Sequence, residues 1–273
     1  MPPRSRPPAV AGRFYPSNPE VLSRDLDRYL KPEVPEQERP GVKGCVVPHA
    51  GYMYSGHVAG AVYRNLPSQP SYVILGPNHY GRGAPLAIIS SGDWATPLGD
   101  VPVDTDLCEA IKAKCKALQE DSVAHAKEHS LEVQLPFLQQ HVGKFSFAPI
   151  AIAAVEYAQL HRLGTAIAEV VGSRGRPVAI IASSDMNHYQ PDAVTRAKDR
   201  LAIEQILALS PEGLFEVVNR ERISMCGYGP VVSMLVAARS LDASKAALEK
   251  YATSADAGGD PRAVVGYAGI IVQ

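Results

Sequence analysis

Three short apolar runs of the chain are rich in β-branched residues and are bounded by glycine or proline; they lie at 41–47, 71–75 and 178–182. This pattern is typical of buried strands in a parallel sheet. Polar residues follow each run directly: His49 after the first, His79 after the second, and Asp185 and His188 after the third. Because ligands bind beyond the carboxyl ends of the strands in open α/β sheets, we expect these side chains to meet at one sheet edge.

Further strands and helices alternate along the rest of the chain. Helical spacing of apolar positions predicts helices at about 21–30, 55–65, 105–118, 131–140, 159–172, 195–209, 211–219 and 230–240. Pro136 is expected to kink or restart the fourth of these. Further strands are predicted at 86–90, 145–152, 247–254 and 264–272, with short strands joined by a turn at 94–104.

The alternation of strands and helices predicts one α/β domain over 11–273, with a central mostly parallel or mixed sheet flanked by helices. Residues 1–10 contain four prolines and two arginines and no apolar core, so they predict a disordered N-terminal arm and not a signal peptide. The charged, proline-rich segment 31–40 is predicted to be a loop within the domain.

Composition narrows the functional class. The 273 residues are 46% hydrophobic and 20% charged with a net charge of −1, which is ordinary for a globular protein. A basic footprint for nucleic acid, a polybasic membrane patch and an apolar run of spanning length are all missing from the sequence. We therefore expect a cytoplasmic protein with neither nucleic acid nor a membrane as its partner.

The two histidines that follow the first two strands favour a metal site. His49 alone would be explained well as a turn residue that hydrogen-bonds to backbone. His79 lies in the loop GPNHYGRG at 76–83, whose glycines allow a close backbone approach. Two histidines at the ends of two buried strands favour shared metal ligation over coincidence.

Asp185 and His188 are three residues apart after the third run. In the first turn of a helix this spacing would place both on one face. Asp185 is a candidate metal ligand, or a carboxylate that orients a ligand histidine from outside the ligand set. It is also a candidate cap for the helix that follows, and the cap is compatible with either other role.

Two further segments are dense in functional groups. His129, Ser130 and Glu132 lie where a predicted helical segment starts. They form either a capping arrangement with solvated charges, or a site in which His129 or Glu132 reaches the pocket for acid–base work or to support a ligand residue. Cys226 lies in a glycine-rich turn before another helix, where a lowered thiol pKa would supply a thiolate. A thiolate is both a metal ligand and a nucleophile; the simpler alternative is a buried cysteine.

Several common sites are excluded by motif. The sequence contains no GxSxG nucleophile elbow, no phosphate-binding GxxxxGKS/T loop, no GxGxxG fingerprint and no CxxC pair. Cys45 is predicted to be a buried strand residue. Cys108 and Cys115 are seven apart in a predicted helix, too far apart along it for a disulfide.

The sequence resembles the Memo family, the B component of the AmmeMemoRadiSam system, over nearly its whole length. The motifs that carry the resemblance are AGRFYP at 11–16, VPHAGYMYSG at 47–56, LGPNH at 75–79, TPLGDVPVD at 96–104, EHSLEVQLPF at 128–137, SSDMNHY at 183–189 and MCG at 225–227. The resemblance implies a fold similar to class III extradiol dioxygenases, which hold non-haem iron(II) with two histidines and a glutamate.

The resemblance also implies a site and partners. The family's metal-binding positions correspond to His49, His79 and Cys226, and its further pocket residues to His129, Asp185 and His188. A thiolate in place of the dioxygenase carboxylate argues against ring cleavage. The family name implies association with an AMMECR1-type protein and a radical-SAM protein, and eukaryotic members are described as binding phosphotyrosine peptides.

The residues themselves agree with a site of two imidazoles and one thiolate, which suits iron(II), copper or zinc better than magnesium or calcium. Fe(II) is the expected metal, for redox or dioxygenase-related chemistry on a small substrate. Two other hypotheses are a non-catalytic scaffold that binds a peptide or partner in the same pocket, and a hydrolase or transferase with Cys226 as nucleophile.

Overall fold

The computed structural model describes residues 5–31 and 41–273. Almost all of the predicted loop at 31–40 therefore lies outside the described residues. The helices are α1 (Pro19–Leu30), α2 (Tyr52–Tyr63), α3 (Thr105–Lys114), α4 (Leu135–Val142), α5 (Tyr157–Ser173), α6 (Asp192–Leu207), α7 (Pro211–Arg220) and α8 (Tyr228–Ser240). The strands are β1 (Ser5–Arg6), β2 (Gly44–Val47), β3 (Ser71–Pro77), β4 (Leu86–Ile88), β5 (Asp93–Thr96), β6 (Gly99–Pro102), β7 (Gln119–Glu120), β8 (Ser146–Ile152), β9 (Val178–Ser183), β10 (His188–Gln190), β11 (Ala246–Thr253) and β12 (Val264–Val272).

A nine-stranded mixed sheet forms the centre of the domain, in the order β10-β12-β2-β9-β3-β8-β4-β7, with β11 also paired to β12. Four neighbouring strands, β2, β9, β3 and β8, run parallel. Antiparallel pairs join β12 to β2 and β4 to β8. The predicted fold class, a mixed α/β domain with a sheet flanked by helices, is confirmed.

Helices cover both faces of the parallel strands, which explains why these strands are apolar without alternation. Every residue of β2, β3 and β9 is buried. Successive strand residues point to opposite faces. Gly44 faces Met234 of α8, because a Cβ built on this glycine would lie 3.0 Å from the methionine sulfur. The next residue, Cys45, lies near Tyr63 of α2 on the other face.

The N-terminal segment corrects the prediction of a disordered arm. Residues 1–4 lie outside the described part, but residues 5–10 are held by the domain. Strand β1 pairs with β5. Arg6 forms an ion pair of 2.8 Å with Glu132, and Val10 is buried. The reason is a buried carboxylate far along the chain, which a proline-rich composition does not reveal.

Of two local predictions, the one for Pro136 is confirmed and the one for Asp185 and His188 is wrong. The segment at 131–140 divides into a 3-10 helix (Glu132–Gln134) and α4, so Pro136 lies in the first turn of a restarted helix. Asp185 and His188 do not open a helix, because α6 begins only at Asp192. His188 instead starts β10 and pairs with Val265 of β12, so the predicted shared helical face and cap for Asp185 are wrong. Within 5–31 and 41–273, no helix has the length and apolar character needed to cross a membrane.

Candidate metal site

Three histidines meet at the carboxyl edge of the parallel strands. His49 follows β2, His79 follows β3, and His129 lies in the loop before the 3-10 helix. One ligand nitrogen from each lies within 4.8 Å of the others. The ring centroid of His49 lies 5.1 Å from that of His79 and 5.5 Å from that of His129. The expected convergence of His49 and His79 is therefore present, and His129 joins them.

Hydrogen bonds of His49 fix its tautomer. Ser183, the last residue of β9, donates its hydroxyl proton to the Ser130 carbonyl at 2.7 Å and accepts from the Gln134 amide at 2.8 Å. The same oxygen lies 2.9 Å from His49 Nδ1. Since the hydroxyl proton is already used, Nδ1 must donate, which leaves the lone pair of Nε2 for a metal.

His79 is oriented in the same way by Glu128, a residue that the sequence analysis did not single out. One carboxylate oxygen lies 2.9 Å from His79 Nδ1 and the other accepts from the His79 backbone N–H at 2.7 Å. Glu128 also accepts from the backbone N–H groups of His129 and Ser130, both at 2.9 Å. A carboxylate behind a ligand histidine fixes the ring and leaves Nε2 free.

The protonation states suit metal binding. Burial raises the pKa of Glu128, but the hydrogen bonds and charges of His79 and the loop outweigh it and lower the pKa to about 2. Burial lowers the pKa of His129 to about 4. Burial and the neighbouring histidines hold the pKa of His49 well below its usual range. His49 and His129 are therefore neutral imidazoles at pH 7, as metal ligation requires.

Cys226 lies against His49 and is not part of the cluster that His49, His79 and His129 form. Its Sγ is 3.2 Å from His49 Nε2 and 3.7 Å from the Asp185 carbonyl oxygen. The expected lowering of its pKa by a helix N-terminus is wrong for the metal-free protein, because burial raises the pKa of the thiol well above its usual range. Cys45 is buried, as predicted. Cys108 and Cys115 are buried as well and form no disulfide with each other, which agrees with their predicted separation.

Asp185 and His188 line the same pocket without joining the histidine cluster. Asp185 accepts from the backbone N–H of His49 at 2.8 Å, so it positions the main chain of a candidate ligand and not its ring. His188 Nδ1 lies 2.8 Å from the Ser224 carbonyl oxygen, which can only accept, so Nδ1 donates and a neutral ring has its lone pair on Nε2. The side-chain oxygen of Asn187 accepts hydrogen bonds from the backbone N–H and from the hydroxyl of Ser224, and so holds Ser224 in place.

Glu132 does not reach the pocket. Its carboxylate binds Arg6, the backbone N–H groups of Ala9 and Val10, and the hydroxyl of Tyr15. The acid–base role considered for Glu132 is therefore wrong. Glu132 instead binds the N-terminal segment to the domain. That segment in turn brings Phe14 edge-on to His129, with a centroid distance of 4.8 Å.

The three histidines face an open pocket of about 480 Å³, which we call the histidine pocket; its lining comprises Phe14, His49, Ala50, Gly51, His79, His129, Asp185, His188, Tyr189, Ser224, Cys226 and Val265. The donor set fits a transition metal, because imidazole nitrogens and a thiol suit iron, copper or zinc and not magnesium or calcium. A metal held there would leave coordination positions open toward the cavity for a small molecule.

Comparison with known proteins agrees with the motifs. The model of the Memo-like protein family matches residues 6–271. A MEMO1 family protein of Methanopyrus kandleri is 42% identical over 98% of this chain and 99% of its own length. MEMO1 family proteins of Pyrobaculum arsenaticum and Methanosarcina barkeri are each 44% identical over 98% of this chain, and over 99% and 100% of their own lengths. With a family model and relatives that cover nearly its whole length, the chain belongs to the Memo family.

Proposed function

We propose that this protein binds one transition metal ion, iron(II) in our assignment, and carries out redox chemistry on a small substrate in the histidine pocket. The observation that carries the proposal is the convergence of ligand nitrogens from His49, His79 and His129 within 4.8 Å. Cys226 Sγ lies beside them at 3.2 Å from His49 Nε2. Few structural roles would gather three imidazoles and a thiol at the edge of a sheet.

We assign His49 and His79 as ligands because each has its Nδ1 fixed by an outer hydrogen bond, to Ser183 and to Glu128. Cys226 is our third ligand. Binding would require loss of its proton, since a metal deprotonates a coordinating thiol. His129 is positioned to complete the set or to exchange a proton with a bound molecule.

A bound iron ion would supply Lewis acidity and one-electron chemistry. The side chains around the pocket would handle protons and hold the ligands in position. His188 lines the pocket with its Nδ1 bound to the Ser224 carbonyl, so in our assignment its Nε2 accepts a proton from a bound substrate or hydrogen-bonds to it. Asp185 holds the backbone of His49, and Phe14 packs edge-on against His129.

Metal content decides the proposal. Protein purified without oxygen is analysed by mass spectrometry beside His49→Ala, His79→Ala and Cys226→Ala variants. We expect about one iron per chain in the wild type, as for a single set of ligands, and loss in each variant. His161→Ala is the matched control, because His161 is exposed on α5 and does not line the histidine pocket. Wild-type protein without iron, copper or zinc would refute the metal site.

The two competing hypotheses make different predictions. A Cys226 nucleophile needs a thiolate, whereas burial raises the pKa of this thiol, so we expect slow labelling by iodoacetamide at neutral pH. A scaffold without chemistry would keep partner binding in His49→Ala. Association with an AMMECR1-type protein and a radical-SAM protein stays a prediction from the family resemblance.

A further inference from the structure

A second, smaller cavity of about 200 Å³ lies beside the histidine pocket. His79 and Cys226 contribute to the walls of both cavities, so these two side chains stand between them. A molecule bound at the proposed metal therefore has two spaces within reach. One is the histidine pocket, and the other we call the apolar cavity.

The walls of the apolar cavity differ in chemistry from those of the histidine pocket. Beyond His79, Cys226 and one asparagine, they come from Ile152 at the end of β8, Val155 after it, Leu160 of α5, Tyr228 at the start of α8, and small residues and prolines. Among the described residues, no Asp, Glu, Lys or Arg lines this cavity. A charged group placed there would lose its hydration without gaining an ionic partner. An uncharged apolar group loses little hydration free energy when it enters such a cavity.

We propose that the apolar cavity binds an uncharged, mainly apolar group of the substrate whose polar end reaches the metal site. This inference rests on the proposed function for the polar end, and it adds the substrate class: an amphipathic small molecule with a metal-binding head and a short apolar tail. The arrangement matches the usual composition of ligand sites, where a few polar groups fix the orientation and apolar walls supply most of the contact.

Gly229 offers a variant that narrows the cavity gently. A Cβ added at this position would lie 3.3 Å from Leu160 Cδ2 and 3.4 Å from Ile152 Cγ2. Both neighbours are side-chain ends that can shift slightly, and alanine favours the helix, so Gly229→Ala should fold normally. Gly172→Ala is the matched control, because this glycine also lies in a helix and its Cβ would meet only Leu241, at 3.4 Å.

The test uses protein loaded with cobalt(II), whose visible spectrum reports ligand exchange, and straight-chain hydroxamates from acetohydroxamate to hexanohydroxamate as probes. Dissociation constants are taken from spectral titrations. In the wild type and in Gly172→Ala, we expect affinity to rise about two- to fourfold for each added methylene until the cavity is filled. In Gly229→Ala, we expect the affinity for acetohydroxamate to be unchanged and the gain with chain length to be reduced or lost.

The outcomes separate this inference from the metal site. Normal binding of acetohydroxamate without any gain from longer chains overturns the inference and leaves the metal site standing. If affinity rises with chain length in Gly229→Ala as much as in the wild type, the tail binds outside the apolar cavity, and the inference is overturned as well. Failure of cobalt to bind the wild type, as shown by its spectrum, refutes the metal site and the inference with it.

Discussion

Glu128 carries more of the candidate site than any other residue outside the histidine cluster, because one carboxylate holds both His79 and the loop of His129. In Glu128→Gln, an amide NH₂ replaces one acceptor and would face an N–H donor. We expect metal affinity to fall about 10- to 100-fold, as for other carboxylates behind ligand histidines. Competition titration with a chromophoric chelator measures this.

Glu120→Gln is the matched control for that substitution. Glu120 also accepts from a backbone N–H, that of Ser90, and binds Lys112, but it lies outside the histidine pocket. Equal losses of affinity in the two variants would mean that the effect of Glu128 is general destabilisation and not control of His79.

Asp199 is a second buried carboxylate behind the site. It accepts from the backbone N–H of Asn187 at 2.8 Å and from the Tyr251 hydroxyl at 2.7 Å. The pKa of Asp199 is raised to about 7, because the effect of burial outweighs the lowering effect of these hydrogen bonds. The folded protein therefore binds a proton between about pH 4 and pH 7 that the unfolded chain has released, so this group makes stability fall as pH rises through that window.

Asp199→Asn resembles the protonated carboxyl and removes this titration. We expect the wild type, relative to the variant, to lose up to about 1.4 kcal/mol of unfolding free energy for each pH unit between pH 4 and pH 7. Urea denaturation at several pH values measures the two curves. Parallel curves across this range would contradict the raised pKa.

At the scale of elements, the N-terminal segment braces the loop that carries His129. Arg6 donates from Nε to the His125 carbonyl and from Nη2 to the Glu128 carbonyl, and it pairs with the Glu132 carboxylate. Its guanidinium also lies 4.1 Å from the centroid of the Trp94 ring. A short strand at the edge of the domain is thus tied to the metal-site loop.

Arg6→Ala should cost more than an ordinary surface change, because it leaves the fully buried Glu132 without its cation. We expect a loss of about 3 kcal/mol in unfolding free energy, at the lower end of the range for breaking a buried pair. Arg262→Ala is the control, because the Arg262 side chain is 87% exposed and forms its ion pair with nearby Asp260. Denaturant unfolding that finds the two variants equally stable would refute the brace.

The sequence predicted the strands of the site well and its supports poorly. A buried parallel strand is recognisable locally, because it is an apolar run that stops at proline or glycine, as at Pro48 and Gly76. Contacts between distant residues are not visible in this way: Glu128 meets His79 across 49 positions and Arg6 meets Glu132 across 126. The strand at His188 was missed because it forms only by pairing with β12.

At the scale of the whole molecule, the candidate ligands come from segments that span 177 positions between His49 and Cys226. A metal that binds them therefore links β2, β3, the His129 loop and the turn before α8. Because such a set exists only in the folded state, metal binding adds its free energy to that of folding. Unfolding must release the metal, so stability should depend on metal concentration.

We therefore expect the unfolding free energy to rise by about 2.7 kcal/mol when free metal is at 100 times its dissociation constant. Thermal denaturation of chelator-treated protein, with and without added iron(II) under anaerobic conditions, measures this as a rise in Tm. His49→Ala and His79→Ala should lose the rise and His161→Ala should keep it. A Tm that does not respond to metal in the wild type would mean that the histidines do not act as one site, because a metal bound only by the folded protein must stabilise it.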